Sequence, residues 1–135
     1  MIAVERPVRF EEVDAAGIVF FGRFSSWVHE AMEHFFAPLE GGYANLIVGR
    51  KVGVPAVKLT FEFSRPARYG DAVVIEVRTK RLGNRSADLA YTIRDKASGE
   101  VVATCDHTIV STDLVTMKSA DMPDDVRAIL QNHLI

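Results

Sequence analysis

Hydrophobic and polar residues alternate from Val4 to Glu12, with Val8 and Phe10 set against Arg9 and Glu11, and this period of two predicts a first strand with one buried face. The alternation stops at Val13-Asp14-Ala15-Ala16-Gly17-Ile18-Val19, which reads as a loop punctuated by a glycine. Beyond it Phe24, Trp27, Val28, Ala31, Met32, Phe35 and Phe36 recur at helical spacing, a broad apolar stripe on a helix of about four turns. Ser25, Ser26, His29, Glu30, Glu33 and His34 form its polar side, and Pro38 stops it. A helix with so large an aromatic load is expected to be enclosed by other structure.

The stretch from Leu39 to Gly53 has no clear period, after which the pattern returns to two. Val57, Leu59, Phe61 and Phe63 fall on one side of a strand and Lys58, Thr60, Glu62 and Ser64 on the other. Pro66 and Tyr69-Gly70-Asp71 make a bend, and Val73, Ile75 and Val77 then oppose Glu76, Arg78 and Lys80. Gly83-Asn84 and Ser98-Gly99 mark turns on either side of a strand carrying Leu89, Tyr91 and Ile93, and Val101 to Thr112 returns as the last strand. The expected order is strand, helix, then four strands in a meander. Pro123 followed by Val126, Ile129, Leu130 and Leu134 predicts a short C-terminal helix. The class is α+β: a curled antiparallel sheet of about five strands wrapped round one long helix. Apolar residues at outward positions, Val74, Ala90, Val102 and Val110, call for cover by a second subunit, so a homo-oligomer is expected.

Composition narrows the function classes. With 135 residues, 48% of them hydrophobic and 25% charged, the chain has the length and make-up of a single domain over residues 1–135 with a full core. The net charge of −2 and the scattered basic residues argue against nucleic acid as a partner. The opening residues carry Glu5 and Arg6 and lack the apolar centre of a secretory signal, and no apolar run has the length of a membrane span. A cytoplasmic protein is expected. The one cysteine, Cys105, reads as a small buried side chain on a strand.

The candidate chemistry sits where the long helix begins. Unpaired backbone N–H groups and a partial positive charge at a helix start can hold a developing oxyanion, and Asp14 lies just ahead in the loop as a nucleophile or general base. An aspartate in that place serves equally well as a cap or turn residue.

The run Arg9-Phe10-Glu11-Glu12-Val13-Asp14-Ala15-Ala16-Gly17-Ile18-Val19-Phe20-Phe21 resembles the opening motif of the hotdog-fold acyl-CoA thioesterases of the 4-hydroxybenzoyl-CoA thioesterase and Tol-Pal-associated type. The likeness continues through Trp27 and resumes at Lys58-Leu59-Thr60-Phe61-Glu62-Phe63-Ser64-Arg65-Pro66-Ala67-Arg68, with Gly53-Val54-Pro55, Gly70-Asp71 and Met117-Lys118 also in order. The resemblance implies hydrolysis of an acyl-CoA thioester, with Asp14 as the catalytic carboxylate and the backbone N–H of Phe21, beside Gly22, as oxyanion donor. It further implies an acyl crevice between two subunits lined from Gly17, Trp27, His29, Lys58 and Thr60, and CoA phosphates met by Arg85 and Ser86. Coenzyme A is then part of the substrate and no separate cofactor is expected; hotdog dimers assembled into a homotetramer are the implied state.

Two positions depart from the family pattern. Tol-Pal-associated members often carry histidine where this chain has Phe21, and the 4-hydroxybenzoyl-CoA enzyme has an acidic residue facing the acyl ring where this chain has His29. A histidine there can hydrogen-bond a ring substituent. A non-catalytic acyl-CoA-binding module and a hotdog dehydratase or hydratase are the competing readings; the first has no need of Asp14, and the second usually employs a histidine that the loop from Val13 to Phe21 lacks. No metal site is expected, because His29 and His34 are five apart and point about 140° away from each other on a helix, unlike the i, i+4 histidines of a zinc helix.

Overall fold

A computed structural model describes residues 1–135. In chain order the elements are β1 (Ile2–Pro7), a 3-10 turn (Phe10–Glu12), α1 (Arg23–Phe35), α2 (Gly42–Val48), β2 (Val52–Gly53), β3 (Ala56–Phe63), β4 (Ala72–Leu82), β5 (Ser86–Asp95), β6 (Val101–Val110), β7 (Thr112–Asp113), β8 (Lys118–Ser119) and α3 (Asp124–Asn132). Five strands form one antiparallel sheet in the order β1-β4-β5-β6-β3, while β2, β7 and β8 make a small second sheet.

The helical stripe and the strand alternation point at each other. Phe24, Trp27, Val28, Ala31, Met32 and Phe35 of α1 are buried, as are Val73, Ile75 and Val77 of β4 and Leu89, Tyr91 and Ile93 of β5. Each large apolar side chain enclosed this way contributes about 1.5–3 kcal/mol, so this layer between α1 and the sheet holds the fold together. Cys105 is buried in the same layer, and burial, with Asp106 adding to it, pushes its thiol up to about 12.

Four features differ from the sequence reading. The first strand ends at Pro7, and Phe10, expected on its buried face, stands exposed against Tyr69 because the chain turns into the 3-10 turn. A short helix, α2, occupies part of the stretch that had no period; it is only seven residues long and starts at the second of two left-handed glycines, Gly41 and Gly42. The last four long strands are not a simple meander: β4, β5 and β6 are, but β3 crosses to the far edge and pairs with β6. Alternation reports which face a residue takes and carries nothing about which strand lies beside it.

The fourth concerns the outer face of the sheet. Val102 is core, and Val74, Ala90 and Val110 are half-buried on a surface laced by Arg94–Glu76, Lys80–Asp106 and Arg81–Asp88 ion pairs. The larger apolar exposure lies along β3, where Val57 is 62% exposed, Leu59 41% and Phe63 51%. This strand has β6 on one side only and its other backbone edge open.

Candidate active site

Of the three carboxylates between β1 and α1, Glu12 and Asp14 are held in contrasting ways. Glu12 is buried: Oε1 accepts from Arg6 Nη1 at 2.8 Å and from the Arg9 backbone N–H at 2.8 Å, and Oε2 accepts from Arg6 Nη2 at 2.9 Å and Trp27 Nε1 at 2.7 Å. Arg6 donates through Nε to Glu30 at 2.9 Å and lies 4.7 Å over the Trp27 ring. Burial by itself pushes the Glu12 carboxyl up, but the hydrogen bonds from Arg6, Trp27 and the Arg9 backbone, with the Arg6 charge, outweigh it and hold the group below its ordinary range. This cluster ties β1, the loop and α1 into one rigid piece.

Asp14 is exposed and lightly held. Its Oδ1 accepts from the Ala16 N–H at 2.8 Å, while Oδ2 has no partner in the chain. The loop around it is fixed by backbone bonds: Asp14 N–H to Ile18 O at 2.9 Å, Gly17 N–H to Asp14 O at 2.9 Å, Val19 N–H to Ala67 O at 2.8 Å and Phe20 N–H to Glu12 O at 3.0 Å. Gly17 takes φ +78°, a left-handed conformation that a side chain would strain, so a glycine is needed to close this turn.

Helix α1 starts at Arg23 with Gly22 as its N-cap, and the N–H groups of Phe21 and Gly22 make no hydrogen bond in the chain. They are the open donors of the helix start. In front of them lies a groove of about 400 Å³ walled by Ile18, Phe21, Phe24, Phe63 and Arg65, with Arg65 paired to Glu100. Asp14 does not line the groove itself; its backbone N–H bonds to the carbonyl of Ile18, which does. An exposed carboxylate, two free amides and an apolar groove are thus brought together on one short segment.

The other predicted site residues separate into groups. Trp27 is fully buried and its indole N–H is spent on Glu12, so it supports the loop rather than lining the groove. Lys58 and Thr60 are exposed at β3 positions paired with Thr108 and Asp106, on the face of the sheet away from α1. His29 is exposed on α1 and opens onto a second groove of about 310 Å³, shared with Met32, Tyr43, Ile47, Val54 and His107. Arg85 and Ser86 lie at the β4–β5 turn, Arg85 Nε donating to Asp121 at 3.0 Å and Ser86 Oγ accepting from Arg81 at 3.0 Å. Ser86 pairs with Val110, whereas Phe63, at the Asp14 groove, pairs with Ala103 near the opposite end of β6. Within one chain, therefore, the proposed CoA contacts and Asp14 are at opposite ends of the sheet.

His107 is the residue the sequence reading passed over. It is 6% exposed and its Nδ1 lies 3.1 Å from the Tyr91 hydroxyl. Its signal was available: His107 shares the inward positions of Cys105 and Ile109 on β6, where a polar residue calls for a partner or a purpose.

Comparison with known proteins places this geometry in a family. Residues 8–130 match the Thioesterase-like superfamily, and the chain belongs to it. Its class is that of the hotdog-fold thioesterases, as the motif around Asp14 implied. Among curated relatives, a 1,4-dihydroxy-2-naphthoyl-CoA hydrolase of Prochlorococcus marinus (strain MIT 9303) is 31% identical over 100 residues, covering 69% of this chain and 66% of that protein, just under two thirds of its length. The enzyme of the same name from Synechococcus elongatus is 29% identical over 128 residues, 94% of this chain and 93% of that protein. Among solved structures, the gentisyl-coenzyme A thioesterase BH1999 superposes with a TM-score of 0.83 at 28% identity, covering 93% of this chain and 99% of that one.

Proposed function

We propose that this protein hydrolyses the CoA thioester of a hydroxylated aromatic acid, working in the cytoplasm as a homodimer or a tetramer of such dimers. The observation that carries the reading is that a free Asp14 carboxylate oxygen and the unbonded Phe21 and Gly22 amides belong to one short segment, Asp14 to Gly22, whose Ile18 and Phe21 line a groove. The substrates for which the relatives are named, a dihydroxynaphthoyl and a gentisyl thioester, support an aromatic hydroxy acyl group.

In this mechanism the thioester carbonyl sits over the start of α1. Asp14 either adds to the carbonyl carbon or takes a proton from the water that does; in both cases the carbonyl oxygen becomes negative, and the Phe21 N–H, aided by the helix dipole, stabilises it. Collapse of that intermediate breaks the C–S bond and releases CoA as thiol, and water supplies the second oxygen of the free acid. A preorganised donor of this kind is worth about 3 kcal/mol, roughly a hundred-fold in rate.

The second copy completes the site. Antiparallel pairing of two β3 edges keeps each face consistent only when residues of like side meet. Centred on Thr60, such pairing sets Lys58 opposite the partner's Glu62 and Leu59 opposite the partner's Phe61, matching charge with charge and apolar with apolar. It covers the exposed apolar row of β3 and closes its open edge. It also brings the partner's Arg85–Ser86 turn to the end where Asp14 stands, which one chain alone does not do.

The test is release of free thiol from a panel of aryl-, short-chain and long-chain acyl-CoAs by the wild type and by Asp14→Asn. Hydrolysis of hydroxyaryl-CoA esters that is lost in the variant supports the reading. Absence of hydrolysis with CoA esters still bound replaces it with a binding module.

A further inference from the structure

The groove that holds His29 and His107 has no role in the chemistry at Asp14, and in a single chain it lies at the other end of β3. In the dimer just described it does not stay remote. Pairing centred on Thr60 is regular as far as Lys58 opposite Glu62 and, past the bulge at Val57, brings the Phe63–Ser64 end of one copy to the Val57–Ala56 end of the other; Phe63 and Ser64 line the groove near Asp14, and Ala56 lines the His107 groove. Neighbouring strands are about 4.8 Å apart, so the grooves become one continuous cleft, with the carboxylate from one copy and His107 from its partner.

His107 is built to present one nitrogen. It lies buried on β6 between β5 and β3, with Leu89 and Leu59 at the paired positions on either side. The 3.1 Å contact fits either tautomer; a phenol is the better donor and an imidazole nitrogen the better acceptor, which favours the one in which Tyr91 donates to Nδ1 and the ring proton is on Nε2. Burial, with His29 nearby adding to it, holds the imidazole below the usual histidine range and therefore neutral. Nε2 has no partner, yet the sealed side-chain atoms without partners are Arg78 Nε and Thr79 Oγ1 alone. Nε2 thus opens to the groove His107 lines, a single fixed N–H donor in a mostly apolar wall of Met32, Tyr43, Ile47, Val54 and Ala56.

We infer that His107 of the partner copy is the specificity-determining residue for the acyl group, its Nε2–H donating to a ring hydroxyl or carbonyl oxygen of the aromatic acid, with Tyr91 as the residue that positions it. This rests on the thioesterase reading for the position of the reacting carbonyl. An unsubstituted ring leaves the N–H buried without an acceptor, which is the arrangement by which a site rejects an analogue lacking its polar group.

The experiment compares 1,4-dihydroxy-2-naphthoyl-CoA with 2-naphthoyl-CoA, the same ring without hydroxyls. Dissociation constants are measured in an Asp14→Asn background, which needs no turnover. The preference for the hydroxylated ester should fall about ten-fold in His107→Phe, fall part of the way in Tyr91→Phe, and be retained in His107→Gln, whose amide N–H stands near the place of Nε2. Equal weakening of both esters, or an unchanged ratio in a folded His107→Phe protein, overturns the assignment. Absence of thiol release by the wild type with the binding ratio still dependent on His107 would instead count against the thioesterase reading alone. The origin of His107 in the partner is read by mixing. Dimers of Asp14→Asn with His107→Phe hold one site with both native residues if the two come from different copies, so the mixture regains selective turnover that neither parent has. If both come from the same copy it regains none, and the shared-cleft arrangement is wrong.

Discussion

Glu12 and Asp14 are two residues apart in the same loop, both acidic, and the fold uses them in opposite ways. Glu12 is buried and satisfied by two contacts from Arg6, one from Trp27 and one from the Arg9 backbone, whereas Asp14 is exposed and takes a single bond from Ala16. A carboxylate with every lone pair occupied has no capacity left for a substrate, and one with a free oxygen beside open amides does. The difference teaches that the well-bonded acid is the scaffold, and it is the ground on which the poorly bonded one is proposed as the reactive group. The cluster at Glu12 stabilises the loop so that Asp14 can remain nearly unpartnered without the loop wandering.

The comparison can be broken from either side, and the largest effect should come from Asp14. Asp14→Asn is expected to lower kcat by about a hundred-fold or more while leaving the unfolding midpoint in urea almost unmoved, since it removes a proton acceptor and no packing. Next comes Glu12→Leu, which leaves the Arg6 charge buried without its main partner; urea unfolding should show a loss of about 3–5 kcal/mol. Trp27→Phe keeps an aromatic side chain but deletes the indole N–H to Glu12 and shrinks a fully buried ring, for an expected loss of about 2–3 kcal/mol in the same measurement.

The smallest effect sharpens the comparison through pH. The Glu12 carboxyl is held below its ordinary value of 4.5 in the folded chain, so the stability it contributes is fully present above about pH 4.5 and is lost as the pH falls through the lower folded-state value. Urea unfolding followed from neutral to acid pH should therefore show a decline that is shallower in Glu12→Gln than in the wild type. A wild-type and a variant curve of the same slope would mean that Glu12 carries no such linkage.

How much of this was legible beforehand follows the same physics. The stripe of Phe24, Trp27, Val28, Ala31, Met32 and Phe35 and the alternation of Val73, Ile75 and Val77 were legible because burial imposes a period, and all are buried. Asp14 was singled out by the motif around it, and the structure shows it exposed with one carboxylate oxygen unpartnered. Glu12 was not, since nothing in a sequence marks an acid whose partners, Arg6 and Trp27, come from a strand and a helix on either side of the loop. Phe10 continued the alternation of Val8 on paper, but its strand had ended by then. Val57, Leu59 and Phe63 were read as the apolar side of a strand and are exposed, which is itself informative, for it marks the edge at which the proposed second copy belongs.

The central claim is the division of work between the two acids, and the most direct measurement is kcat for a hydroxyaryl-CoA ester with Asp14→Asn and Glu12→Gln side by side, at a temperature where circular dichroism shows both to be folded. The account predicts that Asp14→Asn loses turnover and Glu12→Gln keeps most of it while unfolding at lower urea. A folded Glu12→Gln protein without turnover, beside an Asp14→Asn protein that still hydrolyses the ester, would contradict it.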